Sequence, residues 1–412
     1  MTTVDELRAQ FPTIRAGRAV YLDNAGGSQA PRCVADAIRD YMLNTYVQLG
    51  ADYEVSRAST AVVDRAHEFI ELFVHAGDRG RVILASSTTV LCAILADCYA
   101  RARPGGRDEI IVAETAHEAN AGPWFRLADR GWKVQPWRVA PDSLELDLAA
   151  LRKLLSNRTL LVAFPHVSNV LGRIEDAGAI ARLAHEAGAR VVVDGVAYAP
   201  HRAIDVAAIG ADWYVYSTYK VFGPHMAAMF GSHDALAQLE GPNHFFIPRG
   251  EIPYKFEPGG ASHEGCAGLL ALWEYLAAVA GADPTADPSR AVIEQAYRRF
   301  AEWESRLLSA VLDFLNSRPQ LRIIGPTTRG ADRVATISFV HARRRSADIA
   351  RAANAEGYGI RFGHFYAYRL CDRLAREGVL HDVDDGVVRV SLLHYNTLEE
   401  IDGLIACLDR LL

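Results

Sequence analysis

The amino-acid sequence predicts an α/β fold with a mostly parallel sheet, followed by a smaller α+β domain. Short apolar runs alternate with helical patterns between about Val20 and Gly231, and a Pro/Asp-rich stretch then breaks the alternation. Strands that alternate with helices form right-handed βαβ units, which build a parallel sheet buried on both faces. The length of 412 residues fits roughly two domains of about 150–250 residues each.

Six apolar runs are predicted strands of the first domain. In chain order they are RVILAS, EIIVAE, LLVAFPH, RVVVDG, WYVYS and AAMFG. Between two of them, the stretch EDAGAIARLAHEAGA places Ile180, Leu183 and Ala184 on one helical face, and Gly188 is a typical helix stop. Ligands of such sheets bind beyond the carboxyl ends of the strands, so the residues that follow each run are the first candidates for a site.

The stretch GADPTADPSR, residues 281–290, separates the two predicted domains. After it come a long helical pattern over 291–316, the runs RIIGP and VATISFV, a helix near 346–356 and the run VVRVSLL. We expect residues 20–285 to form the large domain. Residues 286–412 then form the small domain together with residues 1–19, whose helix over 4–10 is expected to pack on it.

Composition excludes several classes of function. The net charge of −6, with no basic block beyond HARRRSAD, argues against nucleic-acid binding. The acidic N-terminus predicts no signal peptide, and no apolar run is long enough to span a membrane. The six cysteines lack CxxC or CxxH spacing and the fourteen histidines lack HExxH, which predicts no disulfide framework, no metal site and a cytoplasmic protein.

One lysine stands out in the stretch YSTYKVFGPH. Only four of the 44 basic residues are lysines, and Lys220 is placed between aromatic and apolar neighbours. Arginine keeps its charge in proteins, whereas a partly buried lysine can lose its proton and act as an amine nucleophile. The alternative for Lys220 alone is a packed aliphatic stem with a solvated head.

Polar side chains follow the predicted strands of the first domain. The first run is followed by SSTT, residues 86–89, at the start of a helix, which is either a phosphate site or an ordinary cap. A buried acid such as Asp194 is costly unless it is paired. Singly, these residues have ordinary explanations as caps, turn residues or core histidines. The later runs are followed by His117, Asn169, Asp194, Ser217 and Lys220.

Together, these residues match what pyridoxal 5'-phosphate requires of a protein. The cofactor needs an amine for its Schiff base, an acid beside its pyridinium nitrogen, a flat group on its ring and donors for its phosphate. The chain resembles the class V aminotransferase family of pyridoxal phosphate enzymes, and most of all its cysteine desulfurase-like members. The blocks that carry the resemblance are YLDNAGG, SSTTVL, ETAHEANAGPW, HVSNVLGRIED, VVVDGVAYAPH, STYKVFGPH, FEPGGASHEG, GIRFGHFYAYRL and VVRVSLLHYNTLEEID.

The resemblance implies fold type I, with a seven-stranded sheet in the large domain, and a homodimer with its active sites at the subunit interface. Lys220 would form the Schiff base, Asp194 would pair with the pyridine nitrogen and His117 would stack on the ring. Asn169 would donate to the phenolic oxygen. The residues implied to hold the phosphate are Thr88, Thr89 and Ser217.

The substrate of such an enzyme is an α-amino acid. The resemblance makes Arg389 the bidentate anchor of the α-carboxylate. Its neighbours Val387, Val388 and Val390 predict a buried strand and weigh against an exposed arginine. The other residues implied to contact substrate are Arg361, His364 and Asn24.

The chain departs from the desulfurases at the residue that carries sulfur. Those enzymes have a loop cysteine where this chain has Tyr366, and a neutral phenol cannot carry sulfane sulfur. Cys371, five residues further, is predicted to be a packed helix residue. Tyr366 could act as an acid, a base or a hydrogen-bond donor, and a plain packing role is equally compatible with the sequence.

Three further departures point to a reshaped pocket. Ala197 replaces a glutamine near the cofactor oxygen, and Tyr219, a second possible acid or base, replaces a histidine. Gly260 replaces the threonine that reaches the partner subunit's phosphate, a role that Ser262 could take over.

These features favour β-elimination or related C–S lyase chemistry without a persulfide. Transamination and epimerisation of an amino acid use the same residues and remain alternatives. A non-catalytic scaffold with a decayed site is the alternative of another class, and the intact Lys220, Asp194, His117 and Arg389 argue against it. No GxGxxG motif follows the first strand, which argues against a nicotinamide dehydrogenase.

Overall fold

The computed structural model describes residues 3–15, 17 and 19–412. Thirteen strands occur in this part of the chain. They are β1 (Val20–Tyr21), β2 (Gly80–Ala85), β3 (Glu109–Ala113), β4 (Lys133–Trp137), β5 (Thr159–Pro165), β6 (Arg190–Asp194), β7 (Trp213–Ser217), β8 (Ala227–Ser232), β9 (Leu321–Ile323), β10 (Thr336–His341), β11 (Tyr358–Gly359), β12 (Arg361–Gly363) and β13 (Val387–Ser391).

Fifteen α-helices occur in the same described residues. They are α1 (Val4–Arg8), α2 (Pro12–Arg15), α3 (Arg32–Asn44), α4 (Glu54–Phe73), α5 (Thr88–Ala102), α6 (Glu118–Phe125), α7 (Leu148–Leu154), α8 (Ala177–Glu186), α9 (Val206–Ile209), α10 (His233–Ala237), α11 (His263–Ala280), α12 (Arg290–Asn316), α13 (Ser346–Ala355), α14 (Tyr368–Arg376) and α15 (Leu398–Leu411).

The predicted seven-stranded, mostly parallel sheet is confirmed. Its strand order is β2-β8-β7-β6-β5-β3-β4, and only β8 runs antiparallel to its neighbours. The six predicted apolar runs form six of these strands. The seventh, β4, was not predicted because KVQPW lies at the sheet edge, where a polar, partly exposed strand with a proline is tolerated.

Two hydrophobic layers cover the faces of this sheet. Alternate residues of β3 enter different layers: Ile110 and Val112 pack in one, and Ile111 and Ala113 in the other. Helices α5 and α6 contact the sheet strands, as do α4 and α8. Burial on both faces explains why the strands appear as continuous apolar runs instead of alternating patterns.

A second sheet of four antiparallel strands, in the order β12-β13-β10-β9, lies in the C-terminal part of the chain. Helices α12, α13 and α15 contact one another or this sheet. The first half of α12 contributes Ile293 and Phe300 to the core of the large sheet, while its second half contributes Leu307 and Leu315 to the core of the small one. One helix of 27 residues thus joins both cores.

The N-terminal segment contacts both parts of the molecule. Arg8 forms an ion pair with Glu400 of α15 at 2.7 Å, whereas Phe11 packs on Tyr275 of α11. Strand β1 pairs with β11 of the C-terminal part, although residue 20 was predicted to begin the large domain. The domain boundaries stay a prediction, and residues 1, 2, 16 and 18 of the predicted small domain lie outside the described residues.

No helix among the described residues combines the length and the apolar character needed to cross a membrane. All six cysteines are free thiols, and five of them are buried. The cytoplasmic location stays a prediction.

Candidate active site

The carboxyl ends of the parallel strands meet at one edge of the large sheet, and a cavity opens there. We call it the inner cavity; its polar lining residues are Ser87, Thr88, Thr89, His117, Asn169, Asp194, Ser217, Tyr219, Lys220 and His225. An adjoining outer cavity shares His117, Asn169, Tyr219 and Lys220 with it. The outer cavity adds Arg361, His364, Tyr366, Asp384 and Arg389. The two adjoining cavities therefore bring eleven of the thirteen predicted site residues to one place.

Lys220 lies in the turn Thr218–Lys220 that follows β7, and its side chain faces both cavities. Burial and the charge of Arg389 lower the pKa of its amine to about 8, against the opposing charges of Asp194 and Asp23. A lysine with an ordinary pKa is almost entirely protonated near neutral pH, whereas this one has a substantial neutral fraction. The amine is therefore available as a nucleophile and as a base.

Asp194 is the last residue of β6 and is buried. One carboxylate oxygen accepts a hydrogen bond from the Val196 amide at 3.0 Å. Burial raises the pKa of the carboxyl to about 6, because a charge inside the protein lacks the solvation it has in water. A cationic ring nitrogen in the inner cavity would compensate this cost, which is the role that the sequence predicted for Asp194.

His117 caps the N-terminus of α6, where its Nδ1 accepts a hydrogen bond from the Ala119 amide at 3.0 Å. Burial and the neighbouring cation Lys220 lower its pKa to about 3. The imidazole is therefore neutral, and its flat ring lies at the boundary of the two cavities. A neutral flat ring in this position suits stacking on an aromatic cofactor.

The inner cavity also presents hydroxyl groups at the N-terminus of α5. Thr88 begins the helix, and its hydroxyl lies 2.7 Å from the hydroxyl of Ser217. Ser87 caps the helix by accepting a hydrogen bond from the Val90 amide. The first N–H groups of an α-helix lack partners within the helix, so this end favours an anion such as a phosphate.

Arg389 is fully enclosed in the middle of β13, between valines that are likewise buried. Its guanidinium donates to Asp23 Oδ1 at 3.0 Å and to the backbone oxygen of Asn169 at 3.3 Å, and it stacks 3.7 Å above the ring of Phe365. Its Nε and the side-chain oxygen of Asn169 are buried without hydrogen-bond partners among the described residues. Such orphaned groups beside a cavity are what a bound substrate could satisfy.

The loop of residues 363–367 forms one wall of the outer cavity. Phe365 and Tyr366 have positive φ angles of 48° and 61°, a strained conformation for residues with a side chain. Two hydrogen bonds of 2.8 Å hold the loop, from the Asn169 amide to Phe365 O and from the Glu118 N–H to Tyr366 O. The exposed ring of Tyr366 then lies 5.1 Å from the ring of His117.

Cys371 is enclosed in α14, and burial raises the pKa of its thiol to about 12. This agrees with the predicted packing role, because a neutral, enclosed thiol is a poor nucleophile.

Two predicted site residues lie outside both cavities. Asn24 lines neither cavity: its amide is buried and donates to Ser391 O at 2.8 Å and to Asn396 at 3.1 Å, and its contact with substrate stays a prediction. Ser262 caps α11 by accepting from the Gly265 amide at 3.1 Å, and its role towards a partner subunit stays a prediction. Gly260 has a φ of 80°, a conformation that disfavours any residue with a side chain.

Two site residues were not singled out from the sequence. His225 lines the inner cavity and stacks on Tyr219 with a centroid distance of 4.3 Å. Asp23 contacts both Arg389 and Arg361. Asp23 stands in YLDNAGG, a block noted only for its resemblance, and nothing local in the sequence connects it with arginines more than 300 residues away.

The fold and the cavity residues define a class of protein, the pyridoxal phosphate enzymes of fold type I. A buried amine and a buried acid in one cavity, a neutral flat ring and a hydroxyl-lined helix terminus fit the cofactor's Schiff base, ring nitrogen, ring face and phosphate. The free oxygen of Asn169 adds an unsatisfied polar group at the same place.

Comparisons with known proteins give the family. The profile of the family described as aminotransferase class-V matches residues 20–404. The chain is 40% identical over 419 residues to an aminotransferase-like protein, FGM3, of Gibberella zeae, covering all of this chain and 98% of the relative. It is 31% identical over 426 residues to a cysteine desulfurase of Dickeya dadantii, covering 99% and 96% of the two chains. The chain belongs to the class V aminotransferase family.

A solved structure confirms the fold. The apo structure of a cysteine desulfurase from Thermococcus onnurineus superimposes with a TM-score of 0.85 at 22% identity, over all of this chain and 98% of the other. The protein is thus an enzyme of a family that uses pyridoxal phosphate, as the sequence predicted. The roles of individual residues stay predictions.

Proposed function

We propose that this enzyme cleaves the side chain of an α-amino acid at Cβ by β-elimination, without carrying sulfur as a persulfide. The observation that supports this most directly is the position of Tyr366. Its ring lies 5.1 Å from that of His117, on the loop where the resemblance implies the cysteine of the desulfurases, while Cys371 is enclosed in a helix and burial raises the pKa of its thiol. A good leaving group departs from Cβ without help from a protein thiol, so elimination is the desulfurase-like reaction that this site can still perform.

The chain's own residues supply binding, orientation and proton transfer. Bound pyridoxal phosphate supplies an electron sink for the charge that develops at Cα. The amine of Lys220 removes the α-proton, and the bond from Cβ to the leaving group breaks with its electron pair on that group. Asp194 keeps the ring nitrogen protonated, and His117 holds the ring plane. Addition of water completes the balance and yields a keto acid, ammonia and the leaving group with its proton.

Arg389 is proposed to bind the α-carboxylate. It is buried and charged, and its Nε has no partner in the part of the chain that the structure describes, so a substrate carboxylate would satisfy it. Phe365 stacks on the guanidinium and limits its rotation. Arg361 and His364 line the outer cavity and are proposed to contact the substrate from its rim.

A panel of amino acids tests the reaction. We expect purified protein to be yellow, and S-substituted cysteines to yield pyruvate, ammonia and the free thiol in equal amounts, measured by mass spectrometry and ammonia assay. A keto acid with the substrate's full carbon skeleton and no ammonia would show transamination. Inverted substrate would show epimerisation, and either result would overturn the proposal.

Transamination is the second candidate. It is supported by the relative of 40% identity, whose name is aminotransferase-like protein. The same Lys220 could return the proton to the cofactor instead of allowing a leaving group to depart. Repeated turnover that occurs only when a keto acid is added as amino acceptor would identify transamination, because elimination needs no acceptor.

The active form is proposed to be a homodimer. Large hydrophobic side chains are exposed on the single chain, among them Phe245 at 96%, Phe246 at 69% and Tyr46 at 61%. Adjacent exposed rings such as Phe245 and Phe246, whose centroids are 5.6 Å apart, are typical of an interaction surface. Ser262 lines neither the inner nor the outer cavity but a third one, together with Tyr46 and His263, which agrees with the predicted contact with a partner's cofactor. Light scattering of the purified protein at several concentrations should give twice the chain mass of 45.1 kDa.

A further inference from the structure

An acid connects the two arginines of the outer cavity. Asp23 Oδ1 accepts a hydrogen bond from Arg389 Nη2 at 3.0 Å, and Asp23 Oδ2 lies 3.4 Å from Arg361 Nη1. The carboxylate is only 14% exposed, and the side chain of Arg389 only 2%. The ion pair of Asp23 and Arg389 is therefore largely shielded from water. Charge interactions at such a buried position are stronger than at the protein surface.

The backbone fixes the position of Asp23. The main chain of Asp23 forms an isolated parallel β-bridge with Ser391 of β13. The Tyr21 hydroxyl donates to the backbone carbonyl of Asp23 at 3.2 Å. The backbone of Asp23 is thus held beside β13 by contacts that do not involve the arginines. A fixed acid can orient a guanidinium, whereas a mobile one would follow it.

Sheet register explains why an acid is needed there. Arg361 of β12 and Arg389 of β13 are directly paired residues of an antiparallel ladder. Like charges at such positions repel each other. Asp23 offsets one of the two positive charges. It also leaves Arg389 Nε unpartnered, so the arginine keeps a free donor.

The charges of the outer cavity then match one carboxylate. Two arginines and Asp23 leave one net positive charge around the proposed anchor; Lys220, which also lines this cavity, is the proposed attachment point of the cofactor and is not counted. Asp384, an exposed acid that also lines this cavity, adds a solvent-screened negative charge at the rim. Asp23 and the first substrate carboxylate together neutralise the two arginines. A second carboxylate on the substrate would therefore find no free positive charge there and would be repelled by Asp384.

We propose that Asp23 is a positioning and specificity-determining residue, which orients Arg389 and makes the subsite select amino acids that carry a single carboxylate. This inference rests on the proposed role of Arg389 as the carboxylate anchor. It does not depend on which reaction follows binding.

Binding of two amine-free acids tests the inference on the holoenzyme. Propionate carries one carboxylate and succinate carries two, and their dissociation constants can be measured by calorimetry without any turnover. In Asp23→Asn we expect succinate to gain at least about tenfold over propionate relative to the wild type, because the subsite gains one positive charge. An unchanged ratio in a folded, yellow Asp23→Asn protein would overturn the inference.

Two control variants separate charge from position. Asp23→Glu keeps the charge but moves the carboxylate, so it should weaken both acids and preserve their ratio; a ratio changed as in Asp23→Asn would contradict charge selection. Asp313→Asn removes an exposed acid paired with Arg329 and should leave both constants unchanged.

Arg389→Ala distinguishes failure of the inference from failure of the proposed function. Loss of propionate binding in this variant, together with an unchanged ratio in Asp23→Asn, would remove the role of Asp23 and keep the anchor. Undiminished propionate binding would show that Arg389 is not the anchor, and both statements would then fall.

Discussion

The two sheets contribute to the site in different ways. The large sheet supplies its residues from strand ends: Asp194 ends β6, Ser217 ends β7, and Lys220 follows in the next turn. The small sheet supplies Arg389 from the middle of a strand, and a strained loop covers it. The proposed cofactor side is thus built by topology, since parallel strands end together, and the proposed substrate side is built by individual contacts.

This difference suggests which part of the site can accept substitutions as members of a family diverge. Residues at strand ends are fixed by the whole sheet, so we expect the proposed cofactor residues to change least. The loop that carries Tyr366 is held by a few hydrogen bonds, two of which come from Asn169 and the Glu118 amide. A substitution there alters the chemistry and leaves the sheet intact, which fits the position of the main departure from the desulfurases.

The largest effect is expected on the cofactor side. Lys220→Ala should be colourless, resist labelling by borohydride and lose activity by about 10³-fold or more, because both the nucleophile and the base are removed. Absorbance measures the loss of colour, mass spectrometry after borohydride reduction measures the loss of labelling, and a turnover assay measures the loss of activity. Lys153→Ala, which removes an exposed lysine of α7, should behave as the wild type. A yellow, reducible Lys220→Ala protein would refute the assignment.

Electrostatic coupling between the proposed substrate side and the proposed cofactor side should appear in the pH dependence of cofactor reloading. Cofactor-free protein should reload with pyridoxal phosphate through neutral Lys220, whose pKa is lowered to about 8. The reloading rate should therefore rise with pH and level off above about 8, and fall about tenfold per unit well below it.

Arg389→Gln sharpens this comparison. Removal of a positive charge that lowers the pKa of Lys220 should move the midpoint of the reloading profile upward, so that reloading near neutral pH slows. A midpoint that stays in place would mean that the proposed substrate and cofactor sides are electrostatically independent.

The smallest effect is expected at Cys371. Because its thiol is enclosed in α14 and protonated, Cys371→Ala should change turnover with S-substituted cysteines by less than about twofold, while creating a small cavity that lowers the melting temperature slightly. Sulfide release from free cysteine should be poor in both proteins. Robust release that disappears in Cys371→Ala would contradict the proposed reaction.

The sequence alone determined the large sheet and most of the site. Continuous apolar runs predicted six of its seven strands, because burial on both faces leaves an unmistakable pattern. The residues after those runs could then be placed at one edge, since parallel strands share their direction. Strand β4 escaped prediction because an edge strand need not be apolar.

The tertiary structure decided the interactions between distant residues. Asn24 looked like a substrate contact in the sequence, but packing against β13 directs its amide to Ser391 and Asn396. The contact between Asp23 and Arg389 joins residues that no local pattern relates. The left-handed conformation of Tyr366 likewise depends on hydrogen bonds from other elements. Periodicity reports which face of an element is buried, and only packing determines which side chains then meet.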